Sequence, residues 1–157
     1  MDKGISELDV KFMRESLKEA RKAFRNGEIP VGAVVVLNNE IVARGYNVRE
    51  TKKDPILHAE IEALRKTSKR LKDWRLSDCT LYVTLEPCLM CFGAILQARI
   101  KRVVYGAPNI EEGFTNFILE AAIKKKWDKI EIVPEVLEKD CREIMKEFFE
   151  TLRSSPL

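Results

Sequence analysis

Between Asp9 and Asn26 the apolar residues Met13, Leu17, Ala20 and Phe24 recur at steps of four, three and four, the period of a helix with one buried face. Gly27 supplies its stop. The pattern then changes to a β-branched run from Val31 to Leu37, a turn candidate at Asn38-Asn39 and a second run from Ile41 to Tyr46, which together predict a β-hairpin. Asn47 to Lys53 reads as a loop. Asp54-Pro55 resembles an N-cap followed by a first-turn proline, and Leu57, Ile61 and Leu64 mark one face of a helix from about Ile56 to Leu71.

Cys79 to Thr84 is a short apolar strand, and Cys88 to Ala98 is apolar nearly all round, which predicts a buried helix. Arg102 to Tyr105 reads as a strand, Pro108 to Gly113 as a loop, Phe114 to Lys126 as a helix and Lys129 to Val133 as a strand. Leu137 to Leu152 closes the chain as a helix with Ile144, Phe148 and Phe149 inward. Strands alternating with helices imply a mixed sheet with helices packed on its faces, because parallel neighbours need crossover connections.

The 157 residues suit a single domain, 1–157. Hydrophobic residues at 45%, with only 7 Gly and 6 Pro, exclude a disordered or fibrous chain. The longest apolar stretch, Ile29 to Leu37, falls far short of the roughly 20 residues that span a bilayer. The opening residues lack a cationic segment leading into an apolar one, so a cytoplasmic protein without a membrane contact is expected. In that reducing compartment the four cysteines are not expected to form disulfides. A net charge of +3 does not by itself announce a nucleic-acid partner. The basic clusters at Lys66, Lys69, Arg70, Lys72 and Arg75, and at Arg99, Lys101 and Arg102, read as solvated faces.

Two segments stand apart: His58-Ala59-Glu60, and Pro87-Cys88-Leu89-Met90-Cys91. At this composition a Pro-Cys-x-x-Cys arises by chance in roughly 0.004 of such chains, and adding a Glu two after the only histidine lowers that to about 0.0004. Alone, the Cys-x-x-Cys admits a redox dithiol, half of a structural metal site, or two small buried hydrophobes. Together the segments offer one imidazole and two thiolates. Three protein ligands on zinc leave the fourth tetrahedral position open, which distinguishes a catalytic site from a closed structural one. Cys88 and Cys91, at i and i+3, share a face at a helix start whose positive end is expected to stabilise both thiolates.

His58 and Glu60 would point to nearly opposite sides of a regular helix and converge only at a ragged helix start. Glu60 then serves as a proton carrier rather than a ligand. Water activated by zinc can attack an electron-poor ring carbon bearing an amine, and proton delivery by Glu60 releases ammonia, a hydrolytic deamination. A noncatalytic RNA-binding module with structural zinc is the alternative from another class, and Glu60 argues against it. Cys79 and Cys141 lack partner spacing and read as structural; Trp74 and Trp127 read as packing residues, with base stacking as the alternative.

The pair of motifs matches the signature of zinc nucleobase deaminases. Its flanks, Pro30-Val31-Gly32-Ala33-Val34, Asp54-Pro55 through Ile61, Leu81 through Cys91, and Gly93-Ala94-Ile95, resemble bacterial tRNA-specific adenosine deaminases of the zinc-dependent cytidine/deoxycytidylate deaminase superfamily. The resemblance implies a cytidine deaminase-like three-layer α/β/α sandwich on a five-stranded mixed sheet. It also implies a homodimer, one zinc per subunit on His58, Cys88 and Cys91, a proton shuttle at Glu60, and conversion of the wobble adenosine of a tRNA anticodon arm to inosine. Asn47 matches a position that contacts the nucleoside; its other reading is a left-handed turn residue. From Pro108 to Asn116 the chain departs from the family. Asn109 stands where an Asp is expected, and Glu111 and Glu112 add negative charge beside the implied phosphate path. That departure keeps a deaminase of a free base, nucleoside or nucleotide, of the guanine or cytosine type, as the alternative.

Overall fold

A capping box starts the first helix. In the structure, a computed structural model that describes residues 5–117, 125 and 129–155, the Ser6 hydroxyl accepts the Asp9 N–H at 3.1 Å. The Asp9 carboxylate in turn accepts the Ser6 N–H at 3.2 Å, and α1 runs over Glu7–Arg25. The hairpin forms as expected from β1 (Gly32–Leu37) and β2 (Glu40–Tyr46). Asn38 and Asn39, at φ 51° and 62°, supply the left-handed pair that a tight hairpin turn requires.

The segment expected as a loop contains one helical turn, α2 (Arg49–Lys52). Buried Glu28 holds it, its carboxylate accepting the N–H groups of Glu50 at 2.9 Å and Thr51 at 2.8 Å. The next helix, α3 (Ala59–Leu71), starts three residues later than the sequence predicts. Asp54 does not cap it; its side chain accepts the Ile56 N–H at 3.1 Å and closes a separate turn, leaving His58 as the N-cap.

β3 (Thr80–Leu85) leads into α4 (Leu89–Gln97), and β4 (Arg102–Ala107) follows. Burial of α4 is one-sided: Cys91, Phe92 and Ile95 face inward, while Leu89 and Met90 are exposed. Of the helix expected over Phe114 to Lys126 the structure shows a 3-10 turn, Phe114–Asn116; from 118 onward that expectation, like Trp127, lies outside the described residues apart from Lys125. β5 (Glu131–Val133) and α5 (Glu138–Ser154) complete the described chain.

The strands order as β2-β1-β3-β4-β5. The first three are antiparallel neighbours and β3, β4 and β5 are parallel, so the expected mixed sheet is present. One core lies between the sheet and α3 and α4, with Val35, Ala63, Leu81 and Phe92; a second lies under α1 and α5, with Phe12, Met13, Val34 and Cys141. The result is a three-layer α/β/α sandwich. Two glycines permit its closest approaches. A Cβ on Gly32 would collide with the Ser16 carbonyl of α1, and one on Gly45 would stand 2.5 Å from the Ala59 carbonyl at the start of α3.

Cys79 and Cys141 are buried and structural, as expected. Phe149 is not inward: Ile144 and Phe148 occupy the buried stripe of α5, and the next residue falls about 100° round the helix, where it is 40% exposed. Trp74 is likewise outside the core, with the guanidinium groups of Arg75 and Arg99 both lying over its ring.

Arg102 does not belong to a solvated basic face. Its guanidinium grips the buried Asp9 carboxylate through two hydrogen bonds of 2.7 and 2.8 Å, and the Tyr82 hydroxyl donates to the same carboxylate at 2.8 Å. This cluster ties α1 to β3 and β4. Burial pushes the Asp9 carboxyl up, but the hydrogen bonds from Arg102, Tyr82 and Ser6 outweigh it and hold it below its ordinary value. Folding therefore favours the ionised form. The stability it contributes is complete above the ordinary carboxylate range, at about pH 4, and is lost as pH falls through the lowered folded value. Asp9→Ala is expected to reduce the free energy of unfolding at pH 7 by about 3 kcal/mol in urea titrations, because Arg102 loses its buried partner. The gap from wild type should narrow below pH 4, and an unchanged urea midpoint at pH 7 would contradict the assignment.

Candidate active site

Two helix starts meet beyond the carboxyl ends of the central strands. His58 is the N-cap of α3 and Cys88 the N-cap of α4, both with extended backbone (φ −73°, ψ 163° and φ −71°, ψ 172°). Their carbonyls accept the first helical bonds, from Glu62 at 3.1 Å and Phe92 at 2.9 Å. Neither side chain caps its helix. Each is thus free to project ahead of the first turn, and Cys91, one turn into α4, joins them.

His58 Nδ1 lies 3.6 Å from Cys88 Sγ and 3.5 Å from Cys91 Sγ, and the three donor atoms lie within 4.8 Å of one another. A tetrahedral ion with thiolate bonds of about 2.3 Å and an imidazole bond of about 2.0 Å has a sulfur-to-nitrogen edge of about 3.5 Å. The donor set fits a metal ion. The difficulty of His58 and Glu60, two residues apart, disappears because His58 is not helical while Glu60 sits in the first turn. Glu60 is buried, its carboxyl within hydrogen-bonding reach of Cys91.

Without a metal the site settles its charge unevenly. Cys88 is drawn down to about 4 by the hydrogen bond from the Cys91 thiol and by His58, against the push of burial. Cys91 is pushed up by giving that hydrogen bond and by burial. The second ionisation would place like charges side by side with no cation between them. The Cys88 thiolate raises His58. Burial raises the Glu60 carboxyl, with Cys88 adding to the effect.

His58, Glu60 and Cys88 line a cavity of about 910 Å³, with Cys91 buried behind them. Asn47 lines it too, and it is not a left-handed turn residue. Its amide donates to the Ile29 carbonyl at 3.2 Å and its carbonyl accepts the Arg49 N–H at 3.1 Å, which fixes the side chain. Pro108 through Glu112 form one wall, so Glu111 and Glu112 do face the cavity. The sequence reading missed the opposing side, where α5 contributes Arg142, Glu143, Met145, Lys146 and Phe149. The spacing of Arg142, Lys146 and Phe149, i, i+4 and i+7, was the available signal, obscured by counting Phe149 as core. Arg49, Arg142 and Lys146 offset the acidic wall.

The chain matches the model of the MafB19-like deaminase family over residues 7–153. A tRNA-specific adenosine deaminase of Bacillus subtilis (strain 168) is 42% identical over 92% of this chain and 91% of its own length. A structure from work on A-to-I editing by tRNA:A34 deaminases at the wobble position is 36% identical, covers 85% of this chain and 98% of that one, and superposes with a TM-score of 0.77. A guanine deaminase structure from Bacillus subtilis is 37% identical over 74% of this chain and 73% of that one, with a TM-score of 0.61.

After metal removal by a chelator, iodoacetamide at pH 6 is expected to label Cys88 at least about tenfold faster than buried Cys79 or Cys141, because only Cys88 is then largely thiolate. Peptide mass spectrometry reads the order of labelling. First labelling at Cys79 or Cys141 would contradict the assigned charge state.

Proposed function

Because the chain belongs to the tRNA-specific adenosine deaminase family, we propose that it hydrolytically deaminates the wobble adenosine of a tRNA anticodon arm, consuming water and leaving inosine and ammonia. The observation that carries this reading is the meeting of one imidazole and two cysteine sulfurs beside a cavity that His58, Cys88 and the buried Glu60 carboxyl line. His58 through Nδ1, Cys88 and Cys91 would hold one zinc per subunit. When bound, zinc supplies a Lewis acid that lowers the pKa of water towards neutrality.

Glu60 carries the proton. Its burial raises the carboxyl, which brings proton uptake and release closer to neutral pH than an exposed glutamate allows. It accepts one proton of the attacking water and delivers it to the ring nitrogen, then carries the remaining hydroxyl proton to the amine, which leaves as ammonia as the C–N bond breaks and the ring carbonyl forms. Asn47, held by Ile29 and Arg49, keeps one amide hydrogen and one carbonyl lone pair for the nucleoside. Arg49, Arg142 and Lys146 on the cavity lining suit the flanking phosphates.

The reading takes 1–157 as one domain acting as a homodimer in the cytoplasm. Exposed Leu89 and Met90, in the first turn after Cys88, give a second copy an apolar surface beside the site. Among the described residues no helix is long and apolar enough to cross a membrane.

The purified protein is expected to carry about one zinc and to form inosine in an arginine-type anticodon stem-loop. Glu60→Gln should lower that rate by about 10³-fold with zinc retained. Undiminished activity in that variant would overturn the proton-carrier role. Ammonia release from adenosine, guanine or cytosine with no reaction of the stem-loop would move the same chemistry to a small molecule.

A further inference from the structure

Glu86 is a buried carboxylate that the deamination leaves unused, 4% exposed and two residues ahead of Cys88. Three donors converge on it. Its Oε1 accepts the Asn109 N–H at 3.4 Å, and its Oε2 accepts both the Thr115 N–H at 3.2 Å and the Thr115 hydroxyl at 2.8 Å. All three come from the 109–116 segment, whose first residues face the cavity.

The neighbours of Glu86 hold the same segment. The Pro87 carbonyl accepts the Phe114 N–H at 2.9 Å, and Cys88 forms an antiparallel bridge with Gly113. Gly113 lies so close that a Cβ there would collide with the Glu86 carboxyl. The fully buried Phe114 ring stacks on Phe92 of α4 at 4.1 Å. A metal-ligand segment, 86–88, and a cavity wall, 109–116, are thereby one piece of structure.

An acceptor-only group is what three converging N–H and O–H donors require; an amide would turn its own NH2 toward one of them. The wall is also internally committed. The Asn109 side-chain carbonyl accepts the Glu112 N–H at 3.1 Å, and the Asn116 amide donates to the Ile110 carbonyl at 2.8 Å. Without the Glu86 hydrogen bonds this compact turn would still be held by the Phe114–Pro87 hydrogen bond, the Cys88–Gly113 bridge and the Phe114 stack, but its 109–116 backbone would open more readily.

We propose that Glu86 is a positioning residue that fastens the 109–116 wall to the Cys88 segment and so sets how the cavity receives its substrate; the substrate part of this inference rests on the deaminase reading above. The effect falls on binding more than on the chemical step, because the wall and not the ligand set is what Glu86 touches. Glu86→Gln, Thr115→Val, which removes the hydroxyl donor while keeping shape, and Thr115→Ser, which restores it, separate the contributions.

Amide hydrogen exchange on the zinc-loaded protein is expected to quicken about tenfold across 109–116 in Glu86→Gln, with α3 and α4 unchanged, since a hydrogen bond to a charged group is lost. With the stem-loop as substrate, KM should rise about fivefold while kcat stays within about twofold. Thr115→Val should move both readouts in the same direction by less, and Thr115→Ser should match wild type. Unchanged exchange across 109–116 would overturn the proposal, as would a fall in kcat or zinc content without a rise in KM. Should Glu86→Gln fail to fold, the Thr115 pair carries the same test. A wild-type protein that leaves the stem-loop unreacted would overturn the substrate reading, while the exchange experiment still decides the fastening role.

Discussion

The site depends on two N-cap positions being filled by side chains that can ligate a metal ion. A helix start ordinarily takes Ser, Thr, Asp or Asn there, whose oxygen satisfies an orphan N–H, and doing without one costs about 1 kcal/mol. His58 and Cys88 forgo that bond at both helices. In return, their extended backbones project an imidazole and a sulfur into the space ahead of the first turns, where the helix ends favour negative charge. A regular helix at His58 would have turned its side chain away from that of Glu60, two residues on.

The frame exists to hold those two helix starts at one spacing. β3 and β4 run parallel with α4 between them in sequence, so Cys88 and the 108–116 wall both emerge at the carboxyl ends of adjacent strands, where open α/β sheets place their ligands. The first turn of α3 can lie against β2 only because Gly45 has no side chain to intervene. On the far face, Asp9, Tyr82 and Arg102 clamp α1 to the same two strands. The clamp and the His58, Cys88 and Cys91 cluster thus both depend on the placement of β3 and β4. Glu86 extends the arrangement by making one cavity wall part of the ligand segment.

Most elements were legible because period and punctuation agreed. α1 has both a clean stripe and a stop, and the paired asparagines of the hairpin turn do have the left-handed backbone they favour. The gathering of His58, Cys88 and Cys91 was legible for a different reason: histidine and paired cysteines are rare here, and their chemistry needs few partners to specify it. What escaped depended on contacts distant in sequence. Glu28 creates α2 from a segment with no helical signal of its own, and Asp54 spends its side chain on Ile56 instead of on the helix. Arg102 looks like any surface cation until Asp9, 93 residues away, is brought to it. Phe149 has a core residue's composition and a rim residue's angle.

If His58, Cys88 and Cys91 hold zinc, three protein ligands leave its fourth position open. X-ray absorption at the zinc edge of the purified protein tests it most directly. Two sulfurs at about 2.3 Å and two lighter atoms at about 2.0 Å, one of them the His58 imidazole nitrogen, are expected. A third sulfur in the shell would mean a closed structural site and would contradict it.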